Sequence, residues 1–343
     1  MSRVLVTGAT GFIGRRFVPF LTLRGHEVRC LVRRTVATDD LRRAGAEFFV
    51  GDVRDRGALQ RATRGCEFVY HLAGKTSALR RQEMYEVNAR GTDLITRACA
   101  AQMTPPTMIL VSSLAAVGTS PRGQIQSEVR PARPISEYGR SKQLGERAAR
   151  AWAARIPLSI VRPAIVFGPG DRELLLVFRA IAQLGVHAVP GYTPRRVALI
   201  YCDDLLEILM RVASRGERVP ANRHVPENLR NGLGRGIYHA TVPEQPFYAE
   251  LGRMIARAVN SRQTLVLPFA EPFIWLIALG NQLINAAYGR SDSLNVDKIR
   301  EALAGEWTSS AEPVRRELGF QPPRSLQQRL NETARWYREQ GWI

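Results

Sequence analysis

Short apolar runs alternate with amphipathic stretches through the first half of the chain. Residues 4–7, 27–32, 47–50, 67–71, 107–112 and 158–161 are brief, rich in branched aliphatic side chains, and read as strands. Residues 12–23, 39–44, 55–63, 81–101, 136–153 and 172–183 carry helical spacing. Arg24-Gly25-His26 marks one turn, and Pro105-Pro106 stops the long helix before the fifth strand. This alternation predicts an α/β fold, a doubly wound parallel sheet of about seven strands. Such sheets bind ligands beyond the carboxyl ends of their strands, so chemistry is expected after the fourth and fifth. Residues 1–190 form the expected nucleotide-binding domain. Residues 191–343 form a smaller, mainly substrate-binding lobe, with segments returning to the first domain.

The first strand runs into Thr7-Gly8-Ala9-Thr10-Gly11-Phe12-Ile13-Gly14. Glycines there let the backbone turn and approach a ligand, and the following helix points free N–H groups at an anion. A strand, this glycine loop and then a helix predict a Rossmann-type dinucleotide site, although the first two glycines stand one residue further apart than in the common fingerprint. Strand two ends in Val32-Arg33-Arg34, where an acidic residue would grip the ribose of NAD. Two guanidinium groups suit a 2′-phosphate, so NADP(H) is favoured over NAD(H); the alternative is that both are solvated surface. Asp52, followed by Val53, is placed to accept from an adenine amine or to cap a helix. Leu72-Ala73-Gly74 after strand four allow close passage of the cofactor, and His71 reads as a satisfied, near-core histidine.

Tyr138 and Lys142 are four residues apart on a helix, hence on one face. A cation about 4 Å from a phenolate gains about 4 kcal/mol at an effective dielectric near 20, enough to bring the phenol toward its working range. Ser112-Ser113, at the end of strand five, offers a hydroxyl to the same substrate oxygen.

Taken in order, the glycine motif at Thr7 to Gly14, Asp52, His71-Leu72-Ala73, Asn88, Ser112-Ser113, Tyr138-x-x-x-Lys142 and Arg162-Pro163 resemble the extended branch of the short-chain dehydrogenase/reductases. The resemblance implies that Tyr138 is the general acid/base, Ser113 the catalytic serine, and Lys142 a ligand of the nicotinamide ribose that also lowers the phenol's pKa. It implies that Asn88 supports the active-site backbone or a water chain. The loop after Pro163, with Ile165 and Val166, would hold the nicotinamide carboxamide. Leu114-Ala115 stand where sugar-nucleotide dehydratases carry an acid pair, and Val197-Ala198-Leu199 stand where many epimerases and dehydratases carry Arg-Asp-Phe. The likeness is greater to 3β-hydroxysteroid dehydrogenase-like and dihydroflavonol reductase-like members. The expected activity is therefore an NAD(P)-dependent oxidoreductase interconverting a secondary alcohol and a ketone on a lipophilic, steroid-, polyketide- or flavonoid-like substrate. The alternatives are a sugar-nucleotide epimerase with tightly bound cofactor and a non-enzymatic cofactor-binding sensor or scaffold.

Composition changes this picture little. The net charge of +18 is spread along the chain. Of 49 basic residues three are lysines, Lys75, Lys142 and Lys298, and the other 46 arginines, which looks like a coding bias. No motif supports specific nucleic-acid binding. Cys30, Cys66, Cys99 and Cys202 lack metal-ligand spacing and read as free and buried in a reducing compartment. The first strand begins at once, so no leader is expected, and the expected place is the cytoplasm, if not peripherally at the membrane's inner face. An apolar strip over residues 265–288 is too short for a span of about 20 residues. A buried helix, a lid over a lipophilic substrate and shallow membrane contact through residues 272–288 all stay open there, as does a homodimer.

Overall fold

The computed structural model describes residues 1–78, 80–221, 234–261, 264–272, 275 and 296–343. Strand β1 (Arg3–Thr7) buries Val4 and Val6 on one face and Leu5 on the other, the period-two pattern of a strand covered on both sides. Parallel partners flank it: β2 (Glu27–Val32) and β3 (Glu47–Val50) on one side, β4 (Phe68–His71), β5 (Thr107–Val111) and β6 (Leu158–Pro163) on the other. Three further strands, β7 (Ile165–Phe167), β8 (Val186–Pro190) and β9 (Leu199–Tyr201), lie outside this sheet. The seventh strand of the sheet is β10 (Ile237–Ala240), from the second half of the chain, paired with β6. The order is β10-β6-β5-β4-β1-β2-β3, every pair parallel.

Helices cover both faces. One face carries Phe17, Val18 and Leu21 of α1 (Phe12–Thr22) beside Ile208, Leu209 and Val212 of the helix Cys202–Arg215. The other carries Leu59, Ile95, Cys99 and Ala149, from the helices Arg56–Thr63, Gly91–Ala100 and Glu137–Arg150. All four cysteines are free and buried within these layers. Tyr337, on the helix Leu326–Glu339, is fully buried, stands edge-on to Phe178 and donates its hydroxyl to the Asp171 carbonyl at 2.8 Å.

Three local expectations are corrected. The helix expected over residues 81–101 is two helices, Arg81–Tyr85 and Gly91–Ala100, joined by a π-turn, Glu86–Arg90. Thr92 donates its hydroxyl to the Asn88 carbonyl at 2.7 Å, and a Cβ on Gly91 would lie 2.9 Å from Val53 Cγ2. Glycine therefore lets this joint press against the turn that follows β3. By sequence Asp203-Asp204 opens a helix, Cys202–Arg215, that either carboxylate could simply cap; both are ion-pair partners instead, Asp203 taking a fork from Arg16 of α1 and buried Asp204 pairing with Arg329. The apolar strip begins as a strand, β11 (Leu265–Phe269), paired with β8, with Leu265, Leu267 and Phe269 exposed. Residues 273, 274 and 276–295, and with them the choice between core helix, lid and membrane contact, lie outside the described residues. Among the described residues no helix is long and apolar enough to cross a membrane.

Candidate active site

The glycine loop and the ends of β4, β5 and β6 meet at one edge of the sheet. Gly8 holds φ +72°, and a Cβ there would lie 2.6 Å from the Ala73 backbone nitrogen. A Cβ on Gly14 would lie 2.3 Å from the Gly8 carbonyl oxygen, whereas Gly11 has only one neighbour inside 4 Å, at 3.3 Å. The first glycine thus lets the loop press on Leu72-Ala73, the third lets α1 press on the loop, and the middle one meets only the Gly8 carbonyl oxygen. No side chain caps α1, and no acidic residue occupies its first turn. Its leading N–H groups, at Phe12 and Ile13, are therefore offered outward.

Beneath the loop His71 is fully buried. Its Nδ1 lies 2.7 Å from Thr7 Oγ1 and its Nε2 3.1 Å from Thr92 Oγ1. The single Thr92 proton goes to the Asn88 carbonyl, so Thr92 accepts from His71 and the ring carries its proton on Nε2. Burial, with the Lys142 charge adding to it, lowers the ring's pKa to about 3. His71 is thus a neutral structural bridge between β1, β4 and the helix Gly91–Ala100.

Asn88 sits on that π-turn, the kind of local irregularity that frequently marks functional sites. Its amide accepts from Lys75 N at 2.8 Å and donates to Lys75 O and Ser141 Oγ at 2.9 Å each, clamping the segment after β4 to the helix that carries Tyr138. Gly74 leaves room for Lys142 beside Asn88: a Cβ there would lie 3.1 Å from Lys142 Nζ. Lys142 is buried and donates to the Val111 carbonyl at 2.9 Å. Burial lowers its pKa to about 8 against the opposing charge of Glu146.

Ser113 follows β5 and accepts from Ala115 N at 3.1 Å, which leaves its own proton to donate. Tyr138 stands in the first turn of the helix Glu137–Arg150. Burial pushes its phenol up to about 12; Lys298 and the neighbouring Ser113 hydroxyl oppose the rise, and Glu301 and Glu173 add to it. One expectation is corrected here: desolvation outweighs the cations, so the phenol is raised rather than lowered. Lys142 itself donates to the Val111 carbonyl. Neither Lys298 nor its neighbour Asp297, which accepts from the backbone of Glu137 and Tyr138, was flagged by spacing.

The profile of the NAD dependent epimerase/dehydratase family matches residues 4–226, which span the glycine loop, Asn88, Ser113, Tyr138 and Lys142. The chain belongs to that family. It is an enzyme of the extended short-chain dehydrogenase/reductase type. A ceramide reductase of Caulobacter vibrioides is 31% identical over 341 residues, 99% of this chain and 96% of that one. Sterol demethylase protein B of Methylococcus capsulatus is 28% identical over 345 residues, 99% of each. A crystal structure of Thermus thermophilus UDP-glucose 4-epimerase in complex with NAD has the same fold, with a TM-score of 0.72 at 22% identity over 98% of this chain and 99% of that one.

The family's dinucleotide fits the residues present. The uncapped start of α1 and the side-chain-free Gly11, with Thr10, Phe12, Ile13 and Gly14 around them, suit a diphosphate. Arg33 and Arg34 are exposed at the end of β2. Asp52 is held by Arg54, whose side chain and backbone N–H bond to it at 2.7 and 3.0 Å; these bonds keep its carboxyl below the usual range. The cap of the helix after it is Asp55, which accepts from Ala58 N at 3.0 Å, so Asp52 is not the cap. Val53 is buried against Gly91. Pro163 ends β6, while Ile165 and Val166 belong to β7, with Ile165 exposed.

Proposed function

We propose that this enzyme interconverts a ketone and a secondary alcohol on a lipophilic substrate, steroid-, polyketide- or flavonoid-like, with NADP(H) preferred to NAD(H). The observation that carries it is the meeting of Ser113 and Tyr138 one helical turn from Lys142, with Leu114-Ala115 beside them instead of an acid pair. The two relatives named for a lipid and a sterol span nearly the whole chain and support the substrate class. Arg33 and Arg34 support the cofactor preference, because exposed guanidinium groups match a phosphate in charge and shape.

When bound, the nicotinamide supplies or takes up the hydride. The residues handle the oxygen. As negative charge builds on the carbonyl oxygen, Tyr138 hands over its proton and Ser113 donates a hydrogen bond that strengthens with the charge. Lys142 spends one donor on Val111 and keeps two for ribose hydroxyls. Asn88 fixes the strand-end backbone around them.

The test is a screen of the purified protein against steroid ketones, long-chain ketones, flavanonols and UDP-sugars, following reduced-cofactor absorbance. Stoichiometric oxidation of NADPH with a lipophilic ketone is expected. Conversion of a sugar nucleotide with no net change in cofactor would replace this assignment with an epimerase.

A further inference from the structure

A cavity of about 440 Å³ is walled by residues 119–122, 193–195 and 303–306, with Arg130 beside them. Each segment is tied to the surroundings of Ser113. Thr119 follows Ser113 by six positions, at most about 20 Å of chain. Arg195 and Glu306 stand just before Val197 and Trp307, which pair in a β-bridge, and Ala198 N donates to the Trp307 carbonyl at 2.7 Å. Ser120 N joins the first segment to the third through the Glu306 carbonyl, at 2.8 Å. Leu114, Ala164, Ala198 and Trp307 form one apolar cluster, so apolar contact leads from the residue after Ser113 to those flanking the cavity.

Arg122, Arg130 and Arg195 line the cavity, and Glu306 is the acid among the lining residues. Glu306 is buried, and its carboxylate accepts from Gly123 N at 2.9 Å. Arg195 donates to the Pro190 carbonyl at 2.7 Å and to Glu271 at 3.3 Å. Arg122 is exposed and forms no ion pair among the described residues. Arg130 likewise forms none, and its Nη1 is shut off from solvent with no hydrogen-bond partner. A charged donor left so costs more than a neutral one, and an oxyanion is the partner that relieves it. Three guanidinium groups against Glu306 and Glu271 leave one positive charge in excess. Pro121, Pro194 and Leu303 add apolar wall, and no aromatic ring among the described residues lines the cavity to stack a nucleotide base.

We propose that this cavity is a subsite for an anionic group at the far end of an elongated lipophilic substrate. The substrate is then an acidic lipid, bearing a carboxylate or a sulfate or phosphate ester away from the reacting carbon. Arg122 and Arg130 supply the planar forks that an oxyanion takes, and the Leu114–Trp307 cluster receives the apolar body. The inference rests on the lipophilic-substrate reading. A nucleoside diphosphate is the competing occupant, and the lack of a ring to stack its base counts against it.

Calorimetry on the full-length protein, with NADP⁺ present so that no ketone is reduced, compares two matched pairs and a nucleotide. The pairs are testosterone with its 17-sulfate and decanamide with decanoate; the nucleotide is UDP. At least one acidic probe is expected to bind about tenfold or more tighter than its neutral partner. That preference should shrink in about 0.5 M salt and vanish when Arg122→Met and Arg130→Met are combined, with the neutral probe's affinity unchanged. Thermal melting checks the fold; should the double variant not fold, Arg122→Met alone, at an exposed position, must reduce the preference. Neutral probes that bind as well as the acidic ones overturn the subsite and leave the lipophilic-substrate reading standing. A preference that survives the substitutions also overturns it. Binding of none of the four, or of UDP alone with loss in the double variant, overturns both.

Discussion

Arg162 on β6 grips Glu146 through two hydrogen bonds, Nε to Oε1 at 2.9 Å and Nη2 to Oε2 at 2.6 Å, with both side chains almost wholly buried. Glu146 lies one turn beyond Lys142, so this pair bolts the helix that carries Tyr138 and Lys142 to the sheet. Burial pushes the Glu146 carboxyl up, but the Arg162 charge and its hydrogen bonds overcome it and hold the group at about 2.

Breaking one partner leaves the other charged, buried and alone. Arg162→Met or Glu146→Leu is expected to cost about 3–5 kcal/mol in urea unfolding, and the two together markedly less than the sum. Because the folded pKa of Glu146 is depressed, its contribution is full above the unfolded value of about 4.5 and is lost as pH falls toward about 2. Additive losses in the double variant would show that the pair acts as two independent groups.

His71 gives a second acid-side dependence. Its folded pKa is about 3 against 6.5 in the open chain, so the unfolded state binds the proton more readily between these values. Stability tied to His71 should therefore fall as pH drops from about 6.5 toward 3. Ring NMR at pH 5 should find His71 neutral with its proton on Nε2. A protonated ring, or the Nδ1 tautomer, would contradict the Thr7–His71–Thr92 bridge.

The three loop glycines should separate by experiment. Gly14→Ala drives a Cβ into the Gly8 carbonyl and should lower the melting temperature clearly. Gly11→Ala meets only one atom, at 3.3 Å, and should fold nearly normally while weakening cofactor binding. Equal loss of stability in both would mean that the middle glycine serves packing rather than ligand approach.

Cofactor choice is expected to follow Arg33. Arg33→Ala should weaken NADP(H) binding by about tenfold or more and leave NAD(H) within about twofold, since only the extra phosphate loses a charge-assisted partner. Titration by quenching of tryptophan fluorescence gives both constants. Equal weakening of the two cofactors would assign Arg33 to the surface.

The fold and the chemistry at its strand ends were legible because they are written locally. A glycine loop after a strand, and a phenol four residues from an ammonium, need only neighbouring positions to be seen. What spacing could not reveal lies far apart along the chain. Asp297 meets Tyr138 across 159 positions, and Asp203 meets Arg16 across 187. Asp203 and Asp204 looked like caps because an acid at a helix start usually is one, and their distant arginine partners left no local trace. The phenol's raised pKa was missed for a related reason: helix spacing sets the Tyr138–Lys142 pair side by side but says nothing of how deeply folding buries both.

The most direct test of the account is turnover of Tyr138→Phe on the ketone found by the screen, measured beside its cofactor affinity. The substitution keeps the ring and removes the proton. Turnover is predicted to fall by roughly 10²- to 10⁴-fold with cofactor binding nearly unchanged, and Ser113→Ala should cost less. Near-normal turnover in Tyr138→Phe would contradict the account and move the proton source to another group.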